Sequence, residues 1–272
     1  MRAALTIIPL ILASSALQAE DRPKEGARVE LISEVSAIRP GEPFRLGIQI
    51  THAEGYHSYW KSPGIVGYPT TIAWKLPDGF EAGPLAWPAP EIVDMAGHRA
   101  HGYHRDVLLT TTITPPDKIK GEVINLTAEA SWMACADACH PGDKSLTISL
   151  PVKDKAFINS SHVKLFKKAD QEVPQPLEKW SATILSKKDS STIVLQLTPK
   201  SKMIGSLEAP YFFSLDGQIS STKPEVIYGE DQSVLLKFER SEYSPKEASG
   251  IPGILRYKSN GETFFAEINP KY

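Results

Sequence analysis

Apolar residues recur at every second position in segment after segment of this 272-residue chain, and a chain patterned that way buries its apolar side by building sheets. Phe44, Leu46, Ile48 and Ile50 fall on one face of an extended segment, and Val107, Leu109, Thr111 and Ile113 repeat the pattern. Ile124, Leu126, Ala128, Ala130 and Trp132 form a third such row, and Leu146, Ile148, Leu150 and Val152 a fourth. The period returns later at Ile193, Leu195 and Leu197, at Val234, Leu236 and Phe238, and at Phe264, Ala266 and Ile268. With 22 Pro and 18 Gly scattered among these short stretches, the chain reads as an all-β, turn-rich protein. Its length suits two modest domains.

Two regions break the alternation. Between Tyr56 and Gly102 it lapses, apart from Thr71, Ala73 and Trp74, into text rich in Pro, Gly and aromatics, which predicts long connections of the kind that often carry function. From Asp154 to Ala169 the spacing turns helical: Asp154 is placed to cap, Ile158, Leu165 and Ala169 lie near one stripe, and Lys167-Lys168 suit the C-terminal end of a helix dipole. Glu172-Val173-Pro174-Gln175-Pro176 then reads as a linker. The expected organisation is a signal peptide over 1–19, a β domain over 20–153 that carries both cysteines, a helix and linker over 154–176, and a second, smaller β domain over 177–272.

Met1-Arg2, an almost wholly apolar Ala3–Ala13 and small residues up to the Ala19-Glu20 junction form a secretory signal, too short in its apolar core to span a bilayer. No later apolar run approaches the roughly 20 residues of a transmembrane helix, so the mature protein is expected to be soluble and extracytoplasmic. The net charge is −2, and removal of the signal leaves 29 Lys and Arg against 32 Asp and Glu. That balance points away from nucleic acid and from anionic membranes as partners.

Cys135 and Cys139 are the only cysteines. Four steps along an extended strand would separate their Cα atoms by about 13 Å, far beyond disulfide reach, so they pair only across a tight turn or a single helical turn. Closing so small a ring removes about 2 kcal/mol of unfolded-chain freedom, a weak staple for a chain long enough to bury a full core. The pattern suits a reversible dithiol, although an oxidising compartment also favours an inert loop-closing bridge. In an exchanging pair, protonated His140 would favour a thiolate at Cys139, and an inward-pointing Asp137 would oppose ionisation of either thiol. Cys139 is therefore expected to face the partner, with Cys135 as the resolving sulfur.

Tyr56, Tyr59 and Trp60 are candidates for a cap over the dithiol, against a plainer role as core or surface aromatics. His98, His101 and His104 could join the cysteines around Cu or Zn, but the spacing is not a standard zinc pattern and Arg99 and Arg105 would repel a cation. Solvated loop histidines are the simpler reading. No nucleophile elbow, His-Glu-x-x-His pair or phosphate-binding loop is present, and the sequence calls for no cofactor.

The blocks Gly55-Tyr56-His57-Ser58-Tyr59-Trp60-Lys61-Ser62-Pro63-Gly64, Pro69 to Phe80, Trp87-Pro88-Ala89-Pro90 and Trp132 to Gly142, in this order, resemble the periplasmic N-terminal region of the DsbD/ScsB group of thiol:disulfide interchange proteins. The resemblance covers about Val29 to Val152, and more loosely Tyr211-Phe212-Phe213 and Gly217-Gln218-Ile219. It implies two immunoglobulin-like β-sandwiches in the periplasm, with Cys135 and Cys139 as a protein-disulfide reductase relay. The implied partners are a membrane-embedded electron conduit and periplasmic thioredoxin-like or disulfide-bearing proteins; copper-linked roles occur in the ScsB branch. Members of the group usually continue into a multi-helix membrane segment and a thioredoxin-like domain, neither of which follows before Tyr272, so a separate protein is expected to reduce this one. The rival expectation is a non-catalytic binding module for a protein or copper, with a structural disulfide.

Overall fold

The computed structural model describes residues 22–201 and 205–272, so the expected signal peptide over 1–19 lies outside the described residues. The alternating segments all become strands. One sheet runs Ala27–Ser33, Phe44–His52, Val107–Thr114 and Glu81–Ala82 in spatial order. A second runs Cys139–Pro151, Val123–Cys135, His57–Tyr59, His98–Tyr103 and Glu91–Met95, with Thr71–Lys75 also paired to Val123–Cys135. Their inner faces close on each other: Ile48, Ile50 and Leu109 pack with Ala128, Ala130 and Leu146, and Phe44, Leu46 and Ile113 with Ile124, Leu126 and Leu150. This is a β-sandwich, whose core is filled by the inward-facing side chains of the two sheets.

The later strands build two further sheets. Gln175–Pro176, Glu262–Ile268, Gly253–Ser259 and Glu208–Ser214 form one, and Trp180–Ile184, Thr192–Pro199, Val234–Glu239 and Glu225–Tyr228 the other. Ile193, Leu195, Leu197, Leu236, Phe238 and Leu255 fill the space between them. The chain is thus all-β among the described residues apart from one short helix.

The helix is shorter and later than its sequence pattern predicts. It spans Val163–Glu172, with His162 rather than Asp154 at its N-cap. Phe157–Ile158 is instead a two-residue strand on Val35–Ala37, which leaves Ile158 exposed. The apolar stripe is Phe166 and Ala169, packed against Ile32 and Leu108 of the first sandwich. An ion pair from Arg45 to Asp170, with the Arg45 guanidinium 5.2 Å from the Phe166 ring centroid, ties the helix down. The expected linker is ordered too, since Gln175–Pro176 pairs in parallel with Glu262–Ile268.

The two halves share apolar contacts. Tyr211, Phe213 and Ile254 join Trp60, Tyr103 and the first sandwich in one buried cluster. Phe213 meets Trp60 edge-on at 6.2 Å and His101 at 4.9 Å. Around this contact Ser62 Oγ donates to the Ser214 carbonyl at 2.8 Å, and Ser221 Oγ to the Arg99 carbonyl at 2.8 Å. The Pro- and aromatic-rich stretch from Tyr56 to Gly102 is therefore more structured than its lost alternation suggests. His57–Tyr59 is buried on both faces, and the C-terminal part of His98–Tyr103 is buried throughout, which erases a period of two.

Candidate functional site: the disulfide hairpin

Cys135 ends the strand Val123–Cys135 and Cys139 begins the strand Cys139–Pro151, so the two face each other as the last register pair of a long antiparallel hairpin. Only Ala136, Asp137 and Ala138 turn the chain, with the Ala136 N–H donating to the Ala138 carbonyl at 3.0 Å. The Cα atoms are 4.1 Å apart and the sulfurs are bonded. Of the two geometries open to the sequence, the tight turn is the one adopted. Pro141-Gly142 does not make it: both residues lie within the second strand, paired with Met133 and Trp132. Gly142 is there because a Cβ would stand 2.4 Å from the Trp132 ring, and Pro141 is tolerated because that strand is an edge.

The two sulfurs have different surroundings. Cys135 is fully buried, packed with Tyr59, Val93 and Ala100, whereas Cys139 is exposed. Cys139 Sγ lies 3.8 Å from Met95 Sδ. Met95 closes the Glu91–Met95/His98–Tyr103 hairpin, whose two-residue turn, Ala96-Gly97, has both residues at positive φ and is braced by the Gly97 N–H donating to Asp94 Oδ1 at 3.0 Å. An open cleft of about 930 Å3 runs beside the disulfide turn, walled by Tyr56, His57, Asp94, Met95, His104, Asp137 and His140.

The residues singled out in the sequence separate here. Asp137 is exposed on the turn, and His140 is half-buried with Nε2 3.1 Å from the Tyr56 hydroxyl, so Tyr56 sits at the cleft through its neighbour. Tyr59 lies under the site in the Cys135 cluster; Gly67, at φ 89°, lets its loop rest on the Tyr59 ring, where a Cβ would stand 2.1 Å away. Trp60 belongs to a different cluster, the contact with Phe213.

The three histidines do not converge. His98 and His104 are exposed, while His101 is buried with Nδ1 3.2 Å from the Ser62 carbonyl and Nε2 3.2 Å from the Tyr211 hydroxyl. Positions three apart on a strand point to opposite faces. No group of three or more His, Cys, Asp or Glu among the described residues is arranged to hold a metal ion.

Sequence reasoning passed over two residues. Met95 reaches Cys139 through a hairpin whose tip carries no alternation. His57 is the register partner of Cys135 on the side away from Cys139; it stands inside the Gly55–Gly64 block, but only strand pairing reveals its neighbour. Burial, reinforced by His104 and opposed by Asp94, lowers the His57 pKa to about 4. His52 and His101 are likewise held near 4, chiefly by burial.

A family described as the N-terminal domain of thiol:disulfide interchange protein DsbD matches residues 28–151. Among solved structures, the N-terminal periplasmic domain of ScsB from Proteus mirabilis superposes with a TM-score of 0.66 at 15% identity, over 95% of this chain and 96% of that one. A much looser likeness, with a TM-score of 0.25 at 10% identity over 90% of each chain, is to the sporulation control protein Spo0M from Bacillus subtilis. No curated protein matches the sequence. No helix among the described residues is long and apolar enough to cross a membrane. The β-sandwich that closes its longest hairpin with the Cys135–Cys139 bridge is a thiol-disulfide interchange domain, and residues 28–151 belong to the family of DsbD N-terminal domains.

Proposed function

We propose that this protein relays electrons in the periplasm, accepting them from a membrane-embedded conduit of DsbD type and passing them to thioredoxin-like or other disulfide-bearing proteins through a reversible Cys135–Cys139 bridge. The observation that carries this reading is the asymmetry of the pair: an exposed Cys139, whose chain neighbours Ala138 and His140 line a cleft, and a buried Cys135 opposite it. Exchange needs one sulfur that a partner can reach and a second that resolves the mixed disulfide. Cys139 is the partner-facing sulfur and Cys135 the resolving one, with Asp137 and His140 modulating the pair and Tyr56, Tyr59 and Met95 shielding it. Export by residues 1–19 and the division into a cysteine-bearing domain over 20–153, a helix and linker over 154–176, and a second domain over 177–272 belong to the same reading.

The test is trapping combined with a redox titration. Cys135→Ala should accumulate mixed disulfides with partners through Cys139, and the wild-type pair should equilibrate with glutathione or dithiothreitol between about −180 and −270 mV. Adducts held only by Cys139→Ala would reverse the assignment of the sulfurs. A bridge that resists reduction until the protein unfolds would overturn the relay and leave a binding module with a structural disulfide.

A further inference from the structure

The strand pairing sets four side chains in one transverse row. Cys139 is opposite Cys135, and Cys135 is opposite His57. The next pairing, Ser58 with Tyr103 and Tyr59 with Gly102, carries the register on to His104, whose ring is 5.3 Å from that of His57. Directly opposed residues of antiparallel strands project to the same face with Cβ atoms about 4.5–5.5 Å apart. The row is exposed at both ends and buried in its middle: Cys139 and His104 are exposed, while Cys135 is fully buried and His57 shows only its edge to the cleft. His57 Nε2 is buried without a hydrogen-bond partner, and the other such side-chain atoms among the described residues, on His52, Ser58, Tyr59, Trp60 and Thr70, fall in the same stretch of chain. Buried polar atoms left unpaired are uncommon, and each calls for a physical account.

A buried resolving cysteine has a proton problem. Resting on the exchange reading above, we propose that His57 takes the proton of Cys135 when Cys135 resolves the mixed disulfide, returns it on reduction, and exchanges it with solvent through His104. The Cys139 thiolate attacks one sulfur of the partner disulfide, and the other partner sulfur leaves as a thiolate. Cys135 Sγ–H then gives its proton to His57, and the new thiolate attacks Cys139 Sγ. The bond between Cys139 and the partner breaks, its electron pair leaves with the partner sulfur that Cys139 had attacked, and the Cys135–Cys139 bond forms. Two electrons have passed to the partner, and the proton on His57 leaves through His104 to water or to a released partner thiolate. No further oxidant or reductant is needed.

The electrostatics fit this role. In the oxidised protein burial and the neighbouring His104 keep His57 neutral, Asp94 pulls the other way, and His52 and Tyr59 complete its titratable surroundings. A thiolate forming at Cys135 adds a negative charge beside the ring and raises its proton affinity, and the imidazolium in turn stabilises the thiolate.

The experiment has two arms. NMR titration of the wild-type imidazoles in the reduced protein should show the His57 ring responding a second time as Cys135 ionises, a step absent once the disulfide has formed; a His57 ring blind to that ionisation overturns the proposal without any variant. In the second arm, reduced protein reacts with oxidised glutathione, and mass spectrometry follows the glutathionylated intermediate and its resolution from pH 5 to 9. His57→Gln should leave the first step unchanged and slow resolution about a hundredfold near pH 7, at the lower end of what positioned acid–base groups contribute. His104→Gln should slow it less. Resolution by His57→Gln with the wild-type rate and pH profile overturns the proton role while leaving the relay intact. A wild-type protein that forms no glutathione adduct overturns both.

Discussion

Acidification from pH 7 to pH 5 is predicted to remove a large part of the stability of the oxidised protein, through His52, His57 and His101. These side chains are only 1%, 2% and 2% exposed, and burial holds each pKa near 4 instead of the ordinary 6.5. Between pH 4 and 6.5 the unfolded chain binds protons that the folded chain refuses, so stability is complete above about pH 6.5 and falls as the pH drops towards 4. At about 1.36 kcal/mol per pH unit per group, the fall from 6.5 to 5 costs about 2 kcal/mol per histidine, and up to about 6 kcal/mol for the three. That is comparable to the whole stability of many domains. The lowered pKa values of Glu129 and Asp231 act in the same direction, but only below the ordinary carboxylate range. Urea unfolding followed by tryptophan fluorescence at pH 7 and pH 5 measures the difference directly. A change below about 1 kcal/mol, or a His101 imidazole that titrates near 6.5 in the native protein, would refute the reasoning.

Two further outcomes follow from the packing. Reducing the disulfide should cost only about 2 kcal/mol of stability, because the ring it closes is short and the hairpin above it already sets the cysteines in register; a loss above about 4 kcal/mol on comparing oxidised and reduced urea curves would mark the bridge as a structural staple. Phe213→Ala should destabilise by about 3–5 kcal/mol and broaden the Trp60 and His101 signals, since Phe213 is fully buried against both; a cost under about 1 kcal/mol would mean that the two halves do not depend on this contact.

The strands with one buried face were legible from the sequence because alternation and burial there have the same cause. Phe44–Ile50, Ile124–Ala130 and Ile193–Leu197 read as strands and are strands. The region from Tyr56 to Gly102 was not legible, since His57–Tyr59 and much of His98–Tyr103 are buried on both faces and carry no period. The helix was misplaced for a related reason: Ile158 and Leu165 fit a helical stripe as text, but the core receives Phe166 and Ala169, and Phe157–Ile158 is claimed by the edge of Val35–Ala37. Pro141-Gly142 carries the strongest turn signal near the cysteines, yet packing against Trp132 holds it in a strand.

The sequence by itself determined the fold class, because period-two burial admits sheets and little else, and it singled out the one cysteine pair, because at four residues of separation only a tight turn or a single helical turn brings the sulfurs together. It could not say which sulfur is buried, that Met95 lies against Cys139, or that His57 stands beside Cys135. Those facts depend on which strands become neighbours and in what register, a choice made by the burial of the whole sandwich rather than by any local run of residues.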